Sequence, residues 1–228
     1  MYTPVPERAF ARDELVLHSL SLGAFETNCY LLARVAERDC LVVDPGLDPE
    51  PLLDLIADEG LRPVRILLTH AHLDHIGGCR ALVDRFAVPV LLHPADRLLY
   101  ERLVPSAAVF GIRTLDPPPL DGELREGQWL PFGSAGLTVM ETPGHTQGGV
   151  CLLWQEETRL SAFCGDLIFE GSYGRTDLPG GNTRQLKHSI LERLFSLPDE
   201  TVLYPGHGNL TTIGQERDHN PIKDVYLP

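Results

Sequence analysis

The chain has 228 residues, 43% of them hydrophobic, and a formal net charge of −13. That is apolar material for one sizeable core, and α/β domains of this length often form a single unit, so one domain over 1–228 is expected. The acidic balance speaks against nucleic acid as a partner, because that affinity comes from clustered Lys and Arg, and no apolar run is long enough to span a membrane.

The start, residues 1–8, has no apolar signal core, which argues against secretion. The five cysteines, Cys29, Cys40, Cys79, Cys151 and Cys164, are odd in number, scattered and free of C-x-x-C pairs. Reduced thiols in a cytoplasm fit that usage better than a disulfide framework. Most lie in apolar runs, where a buried thiol behaves as a small hydrophobe, and Cys164 is read the same way. No feature points to a protein partner.

In chain order, 15–20 and 28–32 read as strands, and 40–43 as a third that ends at Asp44-Pro45-Gly46. Residues 49–59 have helical periodicity, with Gly60 as the stop. Residues 64–69 read as a buried strand, and 79–86, after Gly77-Gly78, as a helix. Residues 102–123 are expected to be irregular around Asp116-Pro117-Pro118-Pro119-Leu120-Asp121. A long loop in a compact domain is often functional. Either it borders a site, with Phe110 as an apolar substrate contact, or it is a surface excursion. Residues 137–141, 150–154 and 159–163 are spaced like antiparallel strands. Residues 182–197 read as an amphipathic helix, capped by Asn182 or Thr183 and closed by Pro198. This order gives α and β mixed.

The chemistry-bearing residues sit at strand ends. His70, His72, Asp74 and His75 fall within six positions, between a strand and a helix. An open sheet exposes the carboxyl ends of its strands there. Imidazole is the commonest metal ligand, and carboxylate suits harder cations. His70 and His72 alternate and can point one way from extended backbone, while Asp74 and His75 follow as the chain turns. One cluster with two directions suggests two metals. His145 in Pro143-Gly144-His145, Asp166 in Gly165-Asp166 and His207 in Pro205-Gly206-His207 each follow an apolar run beside glycine. Glycine permits tight turns and close backbone approach.

These residues resemble the metallo-β-lactamase superfamily, with matching motifs from Asp44 to His207. The resemblance implies an α/β fold of the α+β type, a four-layer αββα sandwich of two mixed β-sheets flanked by helices. It implies that His70, His72 and His145 hold a first metal, that Asp74, His75 and His207 hold a second, and that Asp166 bridges them. Asp44 would brace the ligand loop from behind. Within the superfamily the chain is similar to the glyoxalase II and persulfide dioxygenase branch, through Gly23 to Leu32 and through Gly174-Arg175-Thr176-Asp177. Leu178-Pro179-Gly180-Gly181-Asn182 and the tail from Leu210 through Asn220-Pro221 look like a short glyoxalase II-like group. Only 21 residues follow His207, too few for the C-terminal helical domain of full-length glyoxalase II.

The function so implied is a binuclear hydrolase of a small thioester, hydroxyacylglutathione hydrolase-like, on substrates of the S-lactoylglutathione type. Two divalent ions would serve it, zinc ahead of iron or manganese. Asp74 is placed to accept a proton during turnover, and no Gly-x-Ser-x-Gly nucleophile motif is present. The alternative is a mononuclear iron persulfide dioxygenase using His70, His145 and Asp166. A nucleic-acid-processing member fits the charge poorly, and a non-enzymatic binding module fits the filled ligand positions poorly. Arg175 either pairs with Asp177 or meets a substrate carboxylate, and Tyr173 is a weaker substrate contact. His18, His93, His188 and His219 fall outside the ligand motifs.

Overall fold

A computed structural model describes residues 3–4, 15–155 and 159–226. Most of the leading segment 1–8, read above for a signal core, lies outside the described residues. The chain divides into two compact units, 1–123 and 124–228.

The first unit is built on a seven-stranded mixed sheet in sequential order. Its strands are β1 (Thr3–Pro4), β2 (Leu15–Leu22), β3 (Thr27–Arg34), β4 (Asp39–Val43), β5 (Arg62–Leu67), β6 (Val90–Leu92) and β7 (Gly122–Glu123). β1 to β4 pair antiparallel, and β4 to β7 pair parallel. Parallel strands need crossovers. These are α1 (Glu50–Asp58) and then α2 (Leu73–Ile76) with α3 (Cys79–Phe86), while α4 (Arg97–Glu101) and α5 (Leu103–Val109) follow β6. Leu52 and Ile56, one turn apart on α1, face the core with Leu82 of α3, against Leu31, Val42, Ile66 and Val90 of the sheet.

The second unit has a six-stranded sheet of order β15-β14-β11-β10-β9-β8. The strands are β8 (Trp129–Phe132), β9 (Ala135–Glu141), β10 (Val150–Gln155), β11 (Leu160–Gly165), β14 (Val202–Pro205) and β15 (Thr211–Thr212), with β12 (Ile168–Phe169) and β13 (Ser172–Tyr173) forming a separate hairpin. Only β11 and β14 pair parallel. Helices α6 (Thr183–His188) and α7 (Ile213–His219) flank the sheet, with Leu186 and Ile213 in a cluster with Cys151, Ala162 and Leu203. Two mixed sheets flanked by helices are thus the α+β class expected.

Two expectations change in detail. Residues 102–123 are not irregular throughout: α5 occupies Leu103–Val109 and buries Leu103 and Ala107. Pro105 hides that helix in the sequence, yet it lies in the first turn, where a missing N–H costs nothing. The proline stretch beyond is held by Tyr100, whose hydroxyl donates to the Pro118 carbonyl at 2.9 Å, and by Arg80, which donates to the Asp116 and Pro117 carbonyls. The helix expected over 182–197 begins as expected, with Asn182 accepting from the Gln185 N–H at 3.1 Å. After His188 its winding changes, widening over Ser189–Arg193 and tightening over Leu194–Ser196.

Phe163 of β11 is fully buried, with ring neighbours Trp154 at 6.5 Å and Tyr204 at 5.2 Å. Phe163→Ala is expected to cost about 3–5 kcal/mol of unfolding free energy. Urea unfolding of the two proteins checks this; an unchanged midpoint would contradict it.

Candidate functional site

In the first unit, β4, β5 and β6 run parallel, so their carboxyl ends share one edge. Asp44 follows β4, the turn 69–75 follows β5, and Asp96 follows β6. Asp44 adopts a left-handed backbone with φ 50°, which Asp tolerates better than most residues. Its buried carboxylate accepts from the Thr69 N–H at 2.8 Å, from the Thr69 hydroxyl at 2.6 Å, and faces His75 Nδ1 at 2.9 Å. The single Thr69 proton goes to Asp44, so its oxygen accepts from His70 Nδ1, 3.1 Å away. One carboxylate therefore fixes the tautomer of two histidines, with the proton on Nδ1 and the lone pair on Nε2 of His70 and His75. The ligand atoms of Asp44, His70 and His75 lie within 4.8 Å of one another. Because the Asp44 oxygens already take three hydrogen bonds, Asp44 reads as their brace rather than as a third ligand.

The rest of the turn is held in the same way. Asp96, fully buried, accepts from the Ala71 N–H at 3.1 Å. His72 is extended, with φ −73° and ψ 151°, and its ring stands edge-on to His70 at 4.9 Å. The single turn of α2 then brings Asp74 Oδ2 to 3.4 Å from His75 Nε2. Thr27, at the start of β3, donates to that Asp74 oxygen at 3.0 Å.

In the second unit, β9 and β11 run in the same direction on either side of β10, and β14 runs parallel to β11. His145, Asp166 and His207 follow these three strands and so lie at one edge. Asp166 Oδ2 is 3.4 Å from His145 Nε2 and 3.6 Å from His207 Nε2. His145 Nδ1 donates to the Arg175 carbonyl at 2.7 Å. Gly174 is needed beside it, since a Cβ there would overlap the Asp166 carbonyl oxygen.

The donor set fits a metal. His70, His75 and His145 each engage Nδ1, the arrangement that orients metal-binding imidazoles. Ligand atoms 2.0–2.2 Å from a tetrahedral ion stand roughly 3.3–3.6 Å apart. The 3.4 Å and 3.6 Å separations match that better than the 2.7–3.2 Å of a hydrogen bond.

The other predicted residues are placed as follows. Arg175 and Asp177 form the local ion pair, Nε to Oδ1 at 2.6 Å and Nη2 to Oδ2 at 2.7 Å, both exposed. The Arg175 hydrogen bond, with a backbone hydrogen bond behind it, holds the Asp177 carboxyl at about 2. Tyr173 is half-buried against the second cluster. Phe110, just past α5, is 55% exposed and meets Phe25 edge-on at 5.7 Å. Cys164 is buried in the core, where desolvation pushes its thiol up. Sequence reasoning missed Thr27, Thr69, Asp96 and the Arg175 carbonyl. Thr27 and Thr69 lie inside recognised segments, but nothing local marks a hydroxyl as a brace.

A family model described as the metallo-beta-lactamase superfamily matches residues 22–207. Hydroxyacylglutathione hydrolase GloC of Haemophilus influenzae is 36% identical, over 89% of this chain and 95% of that protein. Among solved structures, BLEG-1, described as a B3 metallo-beta-lactamase, gives a TM-score of 0.83 at 40% identity, covering 90% of this chain and 98% of its own. TTHA1623, solved in a di-iron-bound form, gives 0.80 at 43%, covering 89% and 98%. ETHE1 from Myxococcus xanthus gives 0.74 at 27%, covering 93% and 92%.

Asp44→Asn keeps the shape and the tolerance of a left-handed backbone, but one amide oxygen cannot serve three donors. Metal affinity is expected to fall about 10–100-fold, read by competition with a chromophoric chelator.

Proposed function

The chain belongs to the metallo-beta-lactamase superfamily, and from that premise we propose that it is a binuclear metal-dependent hydrolase of a small thioester, of the hydroxyacylglutathione hydrolase type. The observation that carries the reading is the set of Nδ1-braced imidazoles at sheet ends, His70, His75 and His145. The name of the Haemophilus influenzae relative supports the thioester class, and the relative solved in a di-iron-bound form supports a pair of ions, for which zinc is proposed ahead of iron or manganese. His70, His72 and His145 are the ligands proposed for one ion and Asp74, His75 and His207 for the other, with Asp166 shared.

When bound, two such ions supply a water acidified from 15.7 toward about 7 and a positive charge for a carbonyl oxygen. The chain's own residues do the rest. Asp44, through Thr69, keeps the His70 and His75 protons on Nδ1. The Arg175 carbonyl does the same for His145. Asp74, oriented by the Thr27 hydroxyl, takes the proton released as the C–S bond breaks. The leaving thiolate has an ordinary pKa near 8.5, so it needs no strong acid. The substrate is a small molecule; neither nucleic acid nor a membrane is invoked, and no helix among the described residues is long and apolar enough to cross one. Five buried free thiols suit a reducing cytoplasm.

A mononuclear iron persulfide dioxygenase using His70, His145 and Asp166 is the second reading, favoured by the Gly174-Arg175-Thr176-Asp177 segment that resembles that branch. Purified protein is expected to release thiol from S-lactoylglutathione, to lose that activity on chelation and to regain it with zinc. Asp74→Asn, whose amide oxygen can still ligate but cannot take a proton, is expected to lose about 10²–10⁴-fold in turnover at saturating metal. One iron per chain, with oxygen uptake on glutathione persulfide and no thioester cleavage, would select the second reading instead.

A further inference from the structure

The short hairpin of β12 and β13 is separate from both sheets, yet it and the two residues after it reach His145, Asp166 and His207. It begins two residues after Asp166, and Gly174 after it lies against the Asp166 carbonyl. The next residue, Arg175, accepts from His145 Nδ1. The Phe169 ring stands edge-on to His207 at 6.0 Å, and Glu170 accepts from Asn209, two residues past His207, at 2.9 Å.

A two-stranded hairpin is marginal by itself, so something else must fix it. Glu216 on α7 is 1% exposed. Burying a carboxylate is costly unless it is hydrogen-bonded, and here three donors converge on it: the Gly171 N–H at 3.0 Å, the Thr211 hydroxyl at 2.6 Å and the Asn220 amide at 2.7 Å. Gly171 is the turn of the hairpin. Asn220 spends its other amide proton on the Ser172 carbonyl at 2.8 Å, the first residue of β13. Glu216 and Asn220 lie in the tail segment after His207 that the function above leaves unassigned.

We propose that Glu216 and Asn220 are positioning residues: they clamp the 168–173 hairpin, and the clamped hairpin sets His145, Asp166 and His207 for metal. The inference rests on reading those three as ligands. Losing the clamp lets the Arg175 carbonyl drift from His145, so the damage is to metal affinity more than to the fold.

The test uses the full chain and zinc alone. Glu216→Gln places an amide N–H₂ among three donors, and Asn220→Ala removes both hairpin contacts of its side chain. Arg217→Ala is the control. Arg217 lies on the same helix, but its guanidinium donates to the Phe195 and Leu197 carbonyls and pairs with Asp199, away from the hairpin. Zinc affinity, by competition with a chromophoric chelator, is expected to fall about 10–100-fold in both clamp variants. In Arg217→Ala it should hold, although the metal-free unfolding midpoint drops. Should Glu216→Gln fail to fold, Asn220→Ala, which leaves the carboxylate two donors, decides alone. Wild-type zinc affinity in the clamp variants, or an equal loss in Arg217→Ala, would overturn the proposal. A wild-type chain that takes up no zinc would overturn the metal reading and the clamp with it. Zinc binding without thioester cleavage would refute only the substrate, and the comparison among variants would still decide the clamp.

Discussion

The carboxylate of Asp44 is the constraint on which the ligand turn depends. It sits where β4 ends, beside the end of β5, and it takes hydrogen bonds from Thr69 twice and from His75. A neutral imidazole offers a lone pair on only one nitrogen, and which one is set by what the other nitrogen touches. By holding protons on Nδ1 of His70 and His75, Asp44 turns the lone pair of each ring to Nε2, the form in which an imidazole can ligate a cation. A buried carboxylate is expensive unless satisfied, and here the hydrogen bonds that satisfy it also organise the turn.

The second unit reaches the same end differently. Its brace for His145 is a backbone carbonyl, and the close approach that allows it requires glycine at 174. Backbone braces leave a signature in glycine placement rather than in polar side chains. The Gly174 to Asp177 motif therefore has a physical reading in two parts: Gly174 gives the approach and Arg175 gives the carbonyl. The Arg175–Asp177 ion pair shapes the exposed end of the same loop.

The cysteines complete the picture by what they do not do. All five are buried and free. Desolvation pushes the Cys40 and Cys151 thiols up to about 12. Only a thiolate ligates metal or attacks a carbonyl, so burial keeps these sulfurs as packing groups and leaves the chemistry to imidazole and carboxylate. That holds even for Cys164, two residues before Asp166, which donates weakly to the Ile168 carbonyl from within the core.

The sequence by itself determined the candidate ligand types and their loops. Strand periodicity ending in His70–His75, and at His145, Asp166 and His207, needs no partner to be read, because alternation and glycine-flanked turns are local properties. It likewise exposed α1, α3 and the Asn182 cap. It did not expose α5, where Pro105 masks a helix start, nor the change of winding after His188. Only the tertiary structure decided what braces His70, Asp74, His75 and His145. Thr27 reaches Asp74, Asp96 reaches Ala71, and Glu216 reaches Gly171 across sheet crossovers and loops. Such pairs are far apart in the chain, so no spacing rule joins them; parallel strand pairing and the shared edge of the strand ends bring them within hydrogen-bond distance.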